Sequence, residues 1–300
     1  MKYKFLFLCC VILILCCYNG FSQEIIPVKR TDDHWIYVHK STRKQAFPGE
    51  WSWADEFYKG SAKVSCFRSD GFYVYPEGLI NKRGEIILPC EYDNIGDLHE
   101  DLRAICKENK VGFCDTNGKI VIPLTYRNES QSLPEFSEGL ACVMLDESDG
   151  DYIFIDKQGK KAIDIEIDPW GGAAVYYLPR FKQGLAVGQK NNKFGFIDKQ
   201  GKWIIKPQYD AADEFSEGLA AVRKGNTVFY IDEHGNRAFK RNLGCIDEGC
   251  CGFVYGKFVN GQAEVNISTK SRCNDFYNQH YEEIRAIIDR QGNIIKILDK

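Results

Sequence analysis

Apolar and polar residues alternate with a period of two along most of the chain, in runs of five or six broken by glycine or by an Asp-x-x-Gly tetrad. In Gly218-Leu-Ala-Ala-Val-Arg223, the alternation puts Ala220 and Val222 on one face and Leu219, Ala221 and Arg223 on the other. In Phe194-Gly-Phe-Ile-Asp198 the aromatics share a face opposite Gly195 and Ile197, and Trp203 with Ile205 is expected to oppose Ile204. Runs rich in Val, Ile, Phe and Tyr with turn residues between them predict antiparallel meanders of three short strands. No stretch carries an apolar helix stripe over several turns. Tyr281 to Asp289 has helix-like spacing, but its register against the other repeats makes residues 285–289 a strand.

The meander recurs. Phe181-Lys-Gln-Gly-Leu-Ala-Val187 leads to Phe194-Gly-Phe-Ile-Asp-Lys-Gln-Gly201, then to Lys202-Trp-Ile-Ile-Lys-Pro207, and the cycle restarts at Phe215-Ser-Glu-Gly-Leu-Ala-Ala-Val222. The turn glycines 84, 118, 159, 201, 235 and 292 mark six repeats, separated by 34, 41, 42, 34 and 57 residues, so the minimal period is 34 and the excess is insertion. Residues 57–300 hold the six, the last with a long insertion at 241–283. Residues 23–56 read as a degenerate repeat or cap, because Pro48–Phe57 superposes without a gap on Pro89–Leu98 and Trp35–Val38 suits a strand. In the Asp-x-x-Gly tetrads a carboxylate accepts backbone N–H groups and Gly takes positive φ, which makes a tight turn rather than a calcium loop.

With Phe-Ser-Glu-Gly-Leu-Ala, an aromatic-Gly-Phe-Ile-Asp strand and a Gly-Lys turn leading to Pro and Tyr, the repeats resemble the WG-repeat family of bacterial exported β-repeats. The resemblance covers about residues 34–300 and is most specific at 181–222. Phe194-Gly195 and Val111-Gly112 keep the namesake glycine, whereas Ile153, Phe229 and Ala286 replace it. The resemblance implies a repeat scaffold and carries no catalytic residue across. A repeat of 34 residues cannot bury a core alone, so neighbours must stack. The expected fold is all-β, with tandem antiparallel β-meanders stacked as an open solenoid. The alternative is a closed, propeller-like array of six, whose blades need a fourth strand that the short, polar connector of the type 209–215 is not expected to supply.

Lys2 and Lys4 before the apolar run Phe5–Cys17, with Gly20 and Ser22 as small residues, read as a signal peptide over 1–22 cleaved after Ser22. A thirteen-residue apolar core is shorter than the roughly 20 residues a membrane-spanning helix takes. The protein is therefore expected to be exported: periplasmic, on the outer surface, or extracellular. The mature chain would hold 37 Lys and Arg against 42 Asp and Glu, a poor balance for binding nucleic acid. Nine cysteines remain after cleavage, without metal spacing. Most read as small core residues, and Cys245, Cys250, Cys251 and Cys273 form a region where a disulfide fits.

No nucleophile elbow, P-loop, metalloprotease helix or dinucleotide fingerprint occurs, so no catalytic, cofactor-binding or metal-binding residues are assigned. The five histidines read as surface polar residues, and Asp146–Asp151 as a solvated acidic loop. Phe57, Phe136, Phe181, Phe215 and Phe258 recur at one repeat position and belong in the core. Trp51, Trp53, Trp170, Tyr176 and Tyr177 fall outside that register and are the candidates for a binding surface or for capping the array. The expected function is a non-enzymatic scaffold for protein interaction, the alternative a glycan- or peptide-binding module or an enzyme with its site on the insertions.

Overall fold

A computed structural model describes residues 24–67, 75–128, 132–146, 151–165, 178–225, 227–241, 243, 256–268 and 283–299. Among the described residues every regular element is a β-strand, and all pairings are antiparallel. The strand Glu283–Asp289 includes residues 285–289. The leader lies outside the described residues. The chain divides into two compact units, one of residues up to 95 together with 116–119, the other of 96–115 and 120–300.

In the first unit, Ile25–Lys29 pairs with Trp35–His39, and isolated bridges join Trp35 to Trp51 and Val38 to Gln45. Next comes a four-stranded sheet in the order Trp53–Ala54, Ser61–Ser65, Glu77–Asn81, Ile86–Tyr92. Tyr37, Phe47, Trp51, Ala54, Ala62, Val64 and Ile80 form its core, with Phe57 half-buried against them. The fourth strand is a correction. It comes from the connector, and in the second unit Ala211–Ala212 likewise pairs with Ala220–Lys224. The Asp210 and Asp213 amides donate to the Arg223 and Ala221 carbonyls at 2.8 and 2.9 Å, so two small residues of the short, polar connector supply the strand.

The second unit repeats one packing scheme. The face of Ala104, Phe113 and Ile122 meets Phe136, Ala141 and Ile153 of the next repeat. Cys142, Phe154 and Ile163 then meet Phe181, Ala186 and Ile197, and Val187, Phe196 and Ile205 meet Phe215, Ala220 and Val222. Leu219, Ala221 and Tyr230 close on Phe258, Ala263 and Val265. Each repeat thus buries one sheet face against each neighbour, which is why its strands are apolar on both sides. The alternation places Ala220 with Val222 and Leu219 with Ala221 on opposite faces, as expected. Trp203 and Ile205 do not share a face. Ile197 pairs with Trp203 and Phe196 with Ile205, so an irregularity between them leaves Ile204 outside, 45% exposed.

Two sets of turns hold this register. All six glycines from Gly84 to Gly292 have φ between +76° and +80°. In four of the tetrads the Asp carboxylate accepts two amides, as Asp198 does from Gln200 at 3.0 Å and Lys202 at 2.9 Å. The turn also seats the repeat on the one before it: a Cβ at Gly201 would lie 2.9 Å from Ile163 Cγ2. Ser-Glu-Gly-Leu is itself a two-residue hairpin loop, with φ of +54° at Glu138 and +90° at Gly139 and reciprocal Ser137–Leu140 backbone bonds. Sequence reasoning missed this turn.

Candidate functional site

The Ser-Glu-Gly turns build a polar ladder through the second unit. The Gly139 amide donates to Glu100 Oε2 at 3.0 Å, Gly184 to Glu138 at 3.0 Å, Gly218 to Gln183 at 2.7 Å and Gly261 to Glu217 at 2.8 Å. Each acceptor therefore serves the same turn one repeat later. A basic residue of the next Asp-x-x-Gly tetrad joins it: Lys157 lies 3.1 Å from Glu100, Lys199 3.1 Å from Glu138, and Arg290 donates to the Glu217 carbonyl at 2.8 Å. At the rung where Gln183 replaces Glu, the tetrad position carries Glu233 in place of Lys or Arg. Burial opposes ionisation of Glu138, but the Lys199 ammonium and the Gly184 amide outweigh it and hold the carboxyl below its ordinary range.

A second row occupies the position before the core phenylalanine, at Glu135, Arg180, Glu214 and Lys257, and His99, the residue after Leu98, joins its end. His99 Nε2 is 2.5 Å from Glu135, Arg180 pairs with Glu135 and binds Glu214 through two bonds of 2.7 and 3.0 Å, and Lys257 is 2.9 Å from Glu214. Burial works against the Glu214 carboxylate, yet Arg180 and Lys257 pull its pKa down. Asp213 beside it is pushed up by burial. A cavity of about 40 Å³ lies next to Glu135 and Arg180. The charges of this row are engaged with one another, so its chemistry is positioning.

The free thiols among the described residues are buried. Burial raises Cys114 to about 11 and pushes Cys142 up further, and Cys106 is buried as well. Cys66 and Cys90, expected as core residues, are instead joined in a disulfide with Cα atoms 6.0 Å apart. Cys66 follows Ser65, its amide donating to the Pro76 carbonyl at 2.9 Å, and Cys90 lies in Ile86–Tyr92, a proximity that cysteine spacing alone does not disclose. Among the described residues no group of three or more His, Cys, Asp or Glu is placed to hold a metal.

Of the proposed surface residues, Trp51 is 5% exposed and belongs to the core, because its backbone bridge to Trp35 turns the indole under Tyr37 and Phe47. Trp53 is 50% exposed. Trp170, Tyr176, Tyr177, Cys245, Cys250, Cys251 and Cys273 lie outside the described residues, as does most of Asp146–Asp151. Phe67 and Tyr75, 44% and 41% exposed, join Trp53 in the same unit and had no repeat signal to mark them.

The glycines at 78, 112 and 195 sit where the third strand bulges. Opposite Gly195 the ladder steps from Phe194↔Tyr209 to Phe196↔Ile205, and Gly78 and Gly112 face similar steps beside Pro89 and Pro123. A Cβ at Gly112 would lie 2.5 Å from the Ile122 carbonyl oxygen. Where Ile153 stands instead, it pairs regularly with Asp164 and no proline follows. The segments 78–110, 112–147 and 194–227, each containing one such glycine, match the family of WG containing repeats. The chain contains WG repeats. No curated protein matches it at a significant level. Among solved structures, it is similar to Kluyveromyces lactis Hsv2p at 12% identity, with 77% of this chain and 71% of that one covered and a TM-score of 0.45. It is also similar to an uncharacterized Listeria monocytogenes protein (11% identity, 81% of each chain, TM-score 0.42) and to a Bacteroides caccae protein of unknown function (11%, 92% and 93%, TM-score 0.33).

Proposed function

We propose that this protein is an exported, non-enzymatic scaffold that binds protein partners along its third strands. The observation that carries the reading is the exposed aliphatic residues at the start of the third strands: Ile86 is 59% exposed, Ile120 44%, Ile204 45% and Ile294 40%, each two or three residues past a turn glycine. Such residues have no part in stacking, whereas a partner surface would bury them. Pro89 and Pro123, exposed and lacking an N–H, keep that partner from simply extending the sheet. The Cys66–Cys90 disulfide supports export, since such bonds persist in oxidising compartments.

The arrangement of repeats we infer is the open stack. In earlier repeats the middle rung of the outer face is apolar, as in Val187–Phe196–Ile205, but in the last it is Glu264–Ile287–Lys296, with Glu264 and Lys296 exposed. A polar outer face is what a terminal repeat needs. Capture from an envelope fraction of the producing cells, comparing wild type with Ile120→Asp/Ile204→Asp, tests the scaffold. Loss of specific partners with an unchanged melting temperature is expected. Undiminished capture by the double variant, or robust turnover of peptides, esters or peptidoglycan by the wild type, would overturn it.

A further inference from the structure

The first unit carries an aromatic surface that neither stacking nor the turn ladder uses. Trp53, Phe67 and Tyr75 are 50%, 44% and 41% exposed. Trp53 pairs across the ladder with Ser65, and Phe67 lies two residues beyond Ser65, so the pleat turns both side chains to one side. Trp35 backs Trp53 at 5.0 Å between ring centroids, His34 backs Phe67 at 4.4 Å, and Tyr75 stands 6.1 Å from Phe67. Alongside is a polar trio: Arg30 Nη1 lies 2.6 Å from Glu50 Oε1 and His34 Nδ1 2.8 Å from Glu50 Oε2, with Arg30 and Glu50 side chains 45% and 43% exposed.

The bonding of Trp53 narrows the occupant. Its indole N–H, the ring's single donor, already goes to Asp55 Oδ1 at 2.8 Å. The ring is thereby fixed, and what it offers a ligand is its face. A proline-rich or extended peptide docking on a tryptophan uses that donor for a carbonyl. A pyranose whose substituents are equatorial instead presents a sheet of axial C–H groups, which needs only the π face. Its hydroxyls need donors and acceptors at the margin, and Arg30, Glu50 and His34 supply both.

We propose that Trp53, Phe67 and Tyr75, flanked by Arg30, His34 and Glu50, form a binding platform for β-1,4-linked gluco-configured oligosaccharides. The site is independent of the third strands assigned to protein partners, so either reading can fail alone. The test is calorimetric titration of the full mature protein with cellohexaose and chitohexaose, with decaproline as the competing ligand class. Saturable binding of at least one oligosaccharide is expected, weakened about tenfold or more by Trp53→Ala and by Phe67→Ala. Tyr58→Ala, at the far end of the strand Ser61–Ser65 and 56% exposed in the wild type, should leave affinity unchanged. Thermal melts of each variant separate lost binding from lost folding, and both tested rings are exposed enough for the fold to survive. Absence of saturable binding to both sugars, binding that the Trp53 and Phe67 variants leave intact, or Trp53-dependent binding of decaproline alone overturns the proposal.

Discussion

Replacing Gly195 by alanine isolates the close approach that the namesake glycine permits. Its φ is not positive, so the cost comes from space rather than from backbone preference. The new Cβ would lie 2.4 Å from the Ile205 oxygen, 2.8 Å from the Pro207 nitrogen and 2.9 Å from the Lys206 carbonyl carbon. All three are backbone atoms of the bulge, so no side-chain rotation relieves the clash and the strand Trp203–Tyr209 must move. Overpacking of this kind costs up to about 3 kcal/mol. For a chain of this length that corresponds to a fall in Tm of up to about 5 °C. Gly184→Ala is the control: φ is +81° there and nothing lies within 4 Å of the added carbon, leaving about 1 kcal/mol for the left-handed conformation. The assay is thermal unfolding followed by circular dichroism. Should Gly195→Ala melt no lower than Gly184→Ala, the bulge does not explain the glycine.

Lys199→Glu should destabilise by about 0.5–1 kcal/mol by facing Glu138 with a like charge, and Glu138→Gln should rescue it by reproducing the Gln183 and Glu233 combination. A double-mutant cycle in urea with no coupling would refute the rung assignment. Glu214, Glu100 and Glu138 all titrate lower folded than unfolded, so the folded chain binds fewer protons and their stabilisation, complete above the ordinary carboxylate range, is lost as pH falls through the folded values. Urea midpoints should therefore drop from about pH 6 to about pH 3, less steeply in Glu214→Gln, and an unchanged slope in that variant would count against the row. Cys66→Ser should lose on the order of 3 kcal/mol in the chain-entropy account, and a reductant-insensitive wild-type melt would argue against the bond. Glu264→Leu/Lys296→Ile should convert the terminal face into a sticky one and produce dimers by light scattering; a monomer would oppose the open stack.

Much of this fold was legible because the same physics is written several times. The six tetrad glycines, the strand faces in 218–223 and the core phenylalanines 136, 181, 215 and 258 each follow from a local rule applied in register. What sequence could not show depends on atoms brought together from afar. The fourth strand rests on two alanines whose pairing partner lies a dozen residues on, and the bulge that separates Trp203 from Ile205 breaks the period that would have placed them together. Trp51 and Trp53 differ by two positions, yet one is core and the other surface, because a bridge to Trp35 decides their orientation. Nothing local in the sequence marks Glu100, Glu138 and Glu217; only their reach to the next glycine amide reveals the ladder.

That ladder has a direction, each turn offering an acceptor forward and receiving one from behind. Excising the length of chain between one acceptor and the next removes a donor and an acceptor together: without residues 139–183, Glu138 would stand where Gln183 does, facing Gly218. Adding a copy likewise leaves no amide unmet. A gene encoding such a chain can lengthen or shorten by whole modules without leaving a turn amide unmet at the seam, whereas a cut at another phase strands one. The charges still have to match, since Glu138 in the place of Gln183 would face Glu233, so the phase of a duplication is dictated by the turn acceptor and its success by the tetrad residue that faces it.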